Sequence, residues 1–344
     1  MNDFDPNAVG IKNGNIFGFP VTKEEAEIVI IPVPWDLTAS YRKGAATAPE
    51  MILSASTQLD FFHPSLFNAH DIKVHMTAIS EDMVNINEKM RSASIEYLEF
   101  LENGGKLEEN SKHSLFLDAA NEAHDNISNA LYQKTKELLS ENKIPAALGG
   151  EHSIPLGLLK ALGEYYDSFG ILQIDAHADL RDSYEGFKQS HASIFHNVLK
   201  EVDSVKSLVQ IGVRDLSQTE FDTIKNDTRV STFFDWDLKG DQYRGKFWGE
   251  QVAEIINELP QLVYISFDID GLNPSLCPNT GTPVPGGLKL EEVRYLFDRI
   301  ITSGRKIIGF DLCEVGSADE WDANVGSRVL WELVVSTHLA SKQK

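Results

Sequence analysis

Short apolar runs rich in β-branched residues alternate along this chain with stretches of helical periodicity. Residues 27–33 (EIVIIPV), 144–148 (IPAAL), 169–174 (FGILQI), 207–212 (SLVQIG), 262–267 (LVYISF) and 306–310 (KIIGF) read as buried strands. Residues 72–79 and 229–234 are weaker candidates of the same kind. Strands that are apolar on both faces and separated by helices indicate a parallel sheet covered on both sides. The helices are predicted over 126–143, over 289–304 with Gly304 as a C-cap, and over 325–340 as an apolar terminal helix. Residues 80–120 are acidic and polar, with one helix expected at 86–103, and read as a surface insertion. No Pro/Gly/Ser linker, low-complexity tract or repeat divides the chain. The expectation is one domain over residues 1–344, of α/β class, built as a three-layer α/β/α sandwich.

Composition narrows the partners. The 344 residues carry 52 acidic and 31 basic side chains, a formal net charge of −21, which disfavours nucleic acid as a ligand. A field of that sign suits cationic small molecules, although surface acidity more often serves solubility alone. Two cysteines, Cys277 and Cys313, make no disulfide framework and no C-x-x-C pair, so a reducing, cytoplasmic setting is expected. The N-terminus has neither a basic nor an apolar leader region, and no apolar run reaches 18 residues. No membrane association is expected.

The chemistry sits where the predicted strands end, the place where open parallel sheets bind ligands. After strand 144–148 comes LGGEHSIPLG, in which His152 precedes a helix. Taken alone, that histidine reads as a neighbour of an N-cap, Ser153. After strand 169–174, Asp175, His177 and Asp179 follow at i, i+2, i+4. A straight strand would separate the outer two by about 13 Å at ~3.3 Å per residue, so one metal site requires the chain to bend after Asp175. Three potential ligands in five residues make a plain polar strand end the weaker reading. After strand 262–267, Asp268 and Asp270 repeat the i, i+2 spacing, followed by a rigid Pro/Gly-rich loop. Two adjacent buried carboxylates are costly without a cation or strong donors. After strand 306–310 come Asp311 and Glu314, with Asp311 the more structural of the two. Two histidines and four aspartates without a thiolate suit Mn²⁺ better than a structural zinc site. They suffice for two ions if some carboxylates bridge.

These motifs resemble the arginase–agmatinase (ureohydrolase) family. GGEHS, DAHADLR and SFDIDGLNP with TGTPVPGG are its signature blocks in the same order, and VPWDLTASYRKGAATAPEMILSAS is similar to the agmatinase-like branch. The resemblance spans most of residues 27–340 and is weakest over 60–120. It implies a three-layer α/β/α sandwich around a parallel, roughly eight-stranded sheet. It implies two Mn²⁺ per chain, one held by His152, Asp175, Asp179 and Asp268, the other by His177, Asp175, Asp268 and Asp270. It implies that a metal-bridging hydroxide attacks a guanidinium carbon and releases urea, with Glu314 pairing the guanidinium and His191, in QSHASIF, transferring the proton to the departing amine. His196 and the histidines at 63, 70, 75, 113, 124 and 338 have no motif around them and read as structural or exposed.

Two departures from the family pattern fall on the expected pocket rim: VGSADEWD after Glu314, and Asn279 where glycine is commoner. They bear on substrate identity more than on metal binding. The YEGFKQSHAS spacing is agmatinase-like, and the residues with which arginases hold an amino-acid head group are not evident. A small cationic guanidino substrate is therefore expected, with agmatine, converted to putrescine in polyamine metabolism, the favoured one. Guanidinobutyrate, arginine, free guanidine and formiminoglutamate are the alternatives within the family. A deacetylase-like zinc amidohydrolase would leave the six-ligand set unexplained. A non-catalytic metal-binding descendant sits poorly with retention of Glu314 and His191. By resemblance alone, a homo-oligomer, trimer or hexamer, is expected.

Overall fold

The computed structural model describes residues 4–343. Its strands are β1 (Ile28–Val33), β2 (Val74–Met76), β3 (Ile144–Gly149), β4 (Phe169–Ile174), β5 (Val205–Ile211), β6 (Val230–Phe233), β7 (Leu262–Asp268) and β8 (Lys306–Cys313). The helices between and around them are α1 (Ala48–Ser56), α2 (Glu81–Glu102), α3 (Lys112–Ser140), α4 (Leu156–Tyr165), α5 (Ile194–Glu201), α6 (Gln218–Asn226), α7 (Asp235–Tyr243), α8 (Trp248–Glu258), α9 (Leu290–Thr302) and α10 (Glu320–Lys342). The strands form one eight-stranded sheet in the order β2-β1-β3-β8-β7-β4-β5-β6, with every pairing parallel.

Alternate residues of each strand face opposite layers. In β1, Ile28 and Ile30 join a core shared with α1, α8, α9 and α10, while Val29 and Ile31 join a second core shared with α2, α3, α4 and α5. That two-sided burial is why the strands read as uninterrupted apolar runs. The sheet order also decides where the chemistry lies. The motif-bearing strands β3, β8, β7 and β4 are the four neighbours at the centre of the sheet. All run the same way, so their carboxyl ends open onto one crevice.

All eight expected strands form, with β7 and β8 running on to Asp268 and Cys313. The helix expected over 126–143 is the second half of α3, which begins fourteen residues earlier, where Ser111 accepts a hydrogen bond from Ser114 N. The helix expected at 86–103 begins at Glu81, capped by Ser80. Within the 80–120 stretch, α2 buries Met83, Tyr97 and Leu98 in the second core. Its polar side chains grip the loop after β1. Asn87 Nδ2 donates to Asp36 Oδ1 at 2.9 Å, Arg91 donates to the Leu37 and Ala39 carbonyls at 3.1 and 2.8 Å, and Ser94 Oγ donates to Leu37 at 2.6 Å. Ser153 caps no helix: α4 starts after Pro155, and the Ser153 hydroxyl donates to Glu151 instead.

α3 and α4 approach so closely at Gly157 that a Cβ there would lie 1.9 Å from the Ser128 carbonyl oxygen. Gly157→Ala must therefore push the helices apart. It should lower stability by about 1–3 kcal/mol or more, read as a lower denaturant midpoint. An unchanged midpoint would show that the helices separate freely.

Candidate metal centre

The turn after β3 brings His152 over the sheet centre, fully buried. Its Nδ1 lies 3.0 Å from Asp175 Oδ2, 3.0 Å from Asp179 Oδ2 and 3.3 Å from Asp268 Oδ2. The expected bend after Asp175 is present: Asp179 takes a left-handed backbone, φ 54°, and its carboxylate folds back to meet that of Asp175. His177 Nδ1 lies 3.0 Å from Asp270 Oδ2 and 3.6 Å from Asp175 Oδ1. Two ligand groups thus share Asp175: His152–Asp175–Asp179 and Asp175–His177–Asp270. All six residues singled out from the sequence converge within one crevice.

The donor chemistry fits divalent cations. His152 Nδ1 is buried and has no hydrogen-bond partner despite the surrounding carboxylates. Ser266 Oγ donates to Asp311 Oδ2 at 2.8 Å, so it accepts from His152 Nε2, 2.9 Å away. Nε2 therefore carries a ring proton, which leaves Nδ1 as the nitrogen that faces the carboxylates and is placed to ligate a metal. Asp311, fully buried, also accepts from Tyr264 Oη at 2.8 Å. It acts behind the cluster as an orienting acceptor, in line with its structural reading. Burial and the neighbouring Asp175 charge push the Asp179 carboxyl up to about 8. Burial, Asp270 and Asp175 push Asp268 well above the carboxylate range. Carboxylates crowded together in a buried site are costly unless an opposite charge compensates, and a cation is the charge such a set takes.

Glu314 follows β8 with a left-handed backbone, φ 60°, and is buried. Its Oε1 accepts from His152 N at 2.9 Å, and its own N donates to the Gly150 carbonyl at 2.8 Å. Above it the Thr280 hydroxyl donates to the Glu314 carbonyl at 2.7 Å, and Gly281 passes so near that a Cβ would lie 2.9 Å from Oε2. Among the described residues no cationic side chain pairs with Glu314. Burial and the Glu151 charge push its carboxyl well above the usual range.

The cluster opens into a cavity of about 390 Å³ lined by His177, Asp179, His191, Tyr184, Asp215 and Thr282 among others, with Tyr41, Arg42 and Arg181 at its mouth. Glu314 lies behind the Thr280–Gly281 turn, outside that lining. Clefts of about 670 and 580 Å³ elsewhere contain none of the six cluster residues. His191 stands 3.1 Å through Nδ1 from Thr38 Oγ1, with its ring edge-on to Tyr184. Burial holds its pKa below the usual histidine value. His196 lies on α5, 2.8 Å from Asp182.

Sequence reasoning missed two supports. Arg214 spends its guanidinium on backbone carbonyls of Gly212, Asp270, Leu272 and Val284, at 2.7–3.2 Å, tying the β5, β7 and Pro/Gly-rich loops together. Glu151, fully buried, accepts from Thr38 N at 2.8 Å and Ser153 Oγ at 2.7 Å. Behind it, His124 receives the Trp35 indole N–H at 2.8 Å. Only the position of Glu151 inside GGEHS could have drawn notice.

The chain is similar to known proteins along most of its length. The family model described as "Arginase family" matches residues 26–338. The N(1)-aminopropylagmatine ureohydrolase of Thermus thermophilus is 30% identical over 307 residues, covering 88% of this chain and 87% of that protein. The agmatinase of Halalkalibacterium halodurans is 28% identical over 300 residues, 86% of each. The crystal structure of the agmatine ureohydrolase of Thermoplasma volcanium superposes with a TM-score of 0.71 at 26% identity, covering 95% of both chains. Among the described residues, no helix is long and apolar enough to cross a membrane.

Because the cluster needs a cation to settle its carboxylates, divalent metal should raise the unfolding temperature and a chelator should lower it. At a thousandfold excess over Kd the gain is about 4 kcal/mol. His152→Ala should abolish most of that response. Identical melting curves with and without metal would remove the site.

Proposed function

The chain belongs to the arginase family, and from that premise we propose that it hydrolyses agmatine, a small cationic guanidino compound, to putrescine and urea. The observation that carries this reading is Glu314: a buried carboxylate with no cationic partner among the described residues, hydrogen-bonded to the backbone of His152 beside the aspartate cluster. A planar guanidinium supplies the missing charge and accepts a two-point geometry from a carboxylate. We assign His152, Asp175, Asp179 and Asp268 to one Mn²⁺, and His177, Asp175, Asp268 and Asp270 to a second. Such a pair of ions supplies an ionised water at neutral pH and Lewis-acid charge. The chain's own residues do the rest. Glu314 orients the guanidinium, the walls of the cavity limit access of bulk water, and His191 hands a proton to the departing amine nitrogen.

The mouth of the cavity favours a cationic tail. Asp215 is exposed there and has no ionic or hydrogen-bonding side-chain partner among the described residues. The two arginines are engaged: Arg181 lies 3.6 Å from Glu220 and over the Tyr184 ring, and Arg42 donates to the Pro278 carbonyl. A terminal ammonium thus finds a free carboxylate, whereas a tail carboxylate meets arginines already committed. A second reading extends the same substrate by an aminopropyl group. The name of the Thermus relative and the open mouth, where Tyr41 is 73% exposed, favour it. Manganese as the metal, two ions per chain, a single catalytic unit over 1–344, a cytoplasmic setting and a trimeric or hexameric assembly belong to the same proposal. The two free cysteines support the reducing setting.

Manganese-loaded protein should release urea from agmatine or its aminopropyl derivative in preference to arginine, guanidinobutyrate, guanidinopropionate and free guanidine. No urea from any of them would sink the proposal. Glu314→Gln should lower kcat/KM by roughly 10²-fold or more, because it removes the charged partner of a buried pair. Asp215→Asn should raise KM for agmatine about three- to tenfold while kcat holds, since an exposed pair contributes modest uniform binding. Equal KM values would free Asp215 from any part in tail recognition.

A further inference from the structure

His191 can move a proton usefully only if its ring is held with one nitrogen in the cavity and the other anchored. The anchor comes from the loop after β1. Thr38 is fully buried. Its Oγ1 accepts from His191 N at 3.2 Å and stands 3.1 Å from His191 Nδ1, so a single hydroxyl meets both the backbone and the ring of the same residue. Thr38 is itself fixed from several directions. Its N donates to buried Glu151 at 2.8 Å, and Glu151 is held in turn by Ser153. The carbonyls on either side of it, Leu37 and Ala39, receive Arg91, and Leu37 also receives Ser94, both from α2.

We propose that Thr38 is a positioning residue for His191, anchoring Nδ1 so that Nε2 is the nitrogen that exchanges a proton with the departing amine. The proposal rests on His191 being the proton donor. The hydroxyl has two lone pairs. One accepts the His191 backbone N–H and the other accepts Nδ1–H. The ring takes up the proton released when the attacking water ionises, and as the guanidino C–N bond breaks the resulting imidazolium passes its Nε2 proton to the amine nitrogen. The ring is left neutral, with Nδ1–H still on Thr38. A neutral hydroxyl partners the ring in both protonation states, whereas a carboxylate there would favour the charged ring and oppose the transfer. The arrangement follows the general pattern of an acid–base residue oriented by a third group.

The test uses metal-replete full-length protein carrying Thr38→Val, Thr38→Ser, His191→Asn and the Thr38→Val/His191→Asn pair, with agmatine turnover, metal content and melting temperature measured together. Thr38→Val should lower kcat by roughly 10- to 100-fold with KM moving less than about threefold. Thr38→Ser, which keeps the hydroxyl, should recover most of the rate. In the His191→Asn background Thr38→Val should add less than about a threefold loss, because the two act as one unit. If Thr38→Val impairs folding, Thr38→Ala against Thr38→Ser gives the same comparison. A Thr38→Val rate within twofold of the parent, or an equal loss with His191 already replaced, overturns the proposal while leaving His191 as donor. Full turnover by His191→Asn overturns the donor reading and this inference with it.

Discussion

Four aspartates and two imidazoles are packed within a few ångströms at the centre of a parallel sheet, and the rest of the molecule is arranged around that concentration of charge. Water reaches it only from the cavity side, because the central strands and their helices bury the four aspartates and His152. Removing carboxylates from water costs several kcal/mol each unless a cation or aimed donors compensate. The donors present are few and fixed. Gln173 Nε2 and His177 N reach Asp175 at 2.8 and 2.6 Å, Ala176 N reaches Asp270 at 3.0 Å, and Asp270 N reaches Asp268 at 2.8 Å. Asp268 and Asp270 thus each keep one oxygen free for a metal while a backbone N–H steadies the other, and Asp175 takes one donor on each oxygen. Holding that geometry strains the chain. Asp179 and Glu314, neither a glycine, sit at positive φ, a conformation that costs about 1–3 kcal/mol where the surroundings must enforce it. Arg214 is part of the enforcement, with its guanidinium spent on carbonyls of three loops.

What could be read from the sequence follows from the same physics. Parallel strands buried on both faces leave continuous apolar runs, so all eight were legible. Polar residues at spacing two after a strand stand out, so Asp175, His177, Asp179, Asp268 and Asp270 were legible, while His152, alone after its strand, joined them only through the other motifs and GGEHS. The supports were not, because they act across long stretches of chain. Thr38 meets His191 across 153 residues, Trp35 meets His124 across 89, and Thr38 meets Glu151 across 113. None of these pairs carries a periodic signature. His124 in particular looks like one more residue on a polar helix, yet it is buried under Trp35 and beside Glu151. The stretch 80–120 misled for a related reason. Its acidic, polar composition marks the exposed side of α2 and hides the narrow face that holds residues 36–39.

The two rim departures that the sequence presented separately are one structural unit. Asn279 Nδ2 donates to Asp319 at 2.9 Å, and Asn279 N donates to Asp322 at 3.1 Å. Asp319 also caps α10, accepting from Trp321 N and Asp322 N. An asparagine in the loop and acidic residues after Glu314 are therefore a matched pair, and each explains the other. The loop they fix, 277–282, is the one that lays Thr280 and Gly281 over Glu314.

That coupling limits how the rim can set substrate choice. α10 fills the first core with Val329, Leu330, Leu333 and Val334, so its position is set by packing against the sheet. Through Asp319 and Asp322 it also fixes the loop over Glu314. Change at 279, 319 or 322 would disturb the helix cap and Glu314 together. Tyr41, Asp182 and Asp215 are under no such constraint, being exposed at or near the mouth of the cavity, whereas Arg42, also exposed, touches the loop through the Pro278 carbonyl. The exposed positions can vary without moving the six cluster residues or Glu314. The inner loop, for all its departure from the family pattern, is the part of the rim that can least afford to specialise.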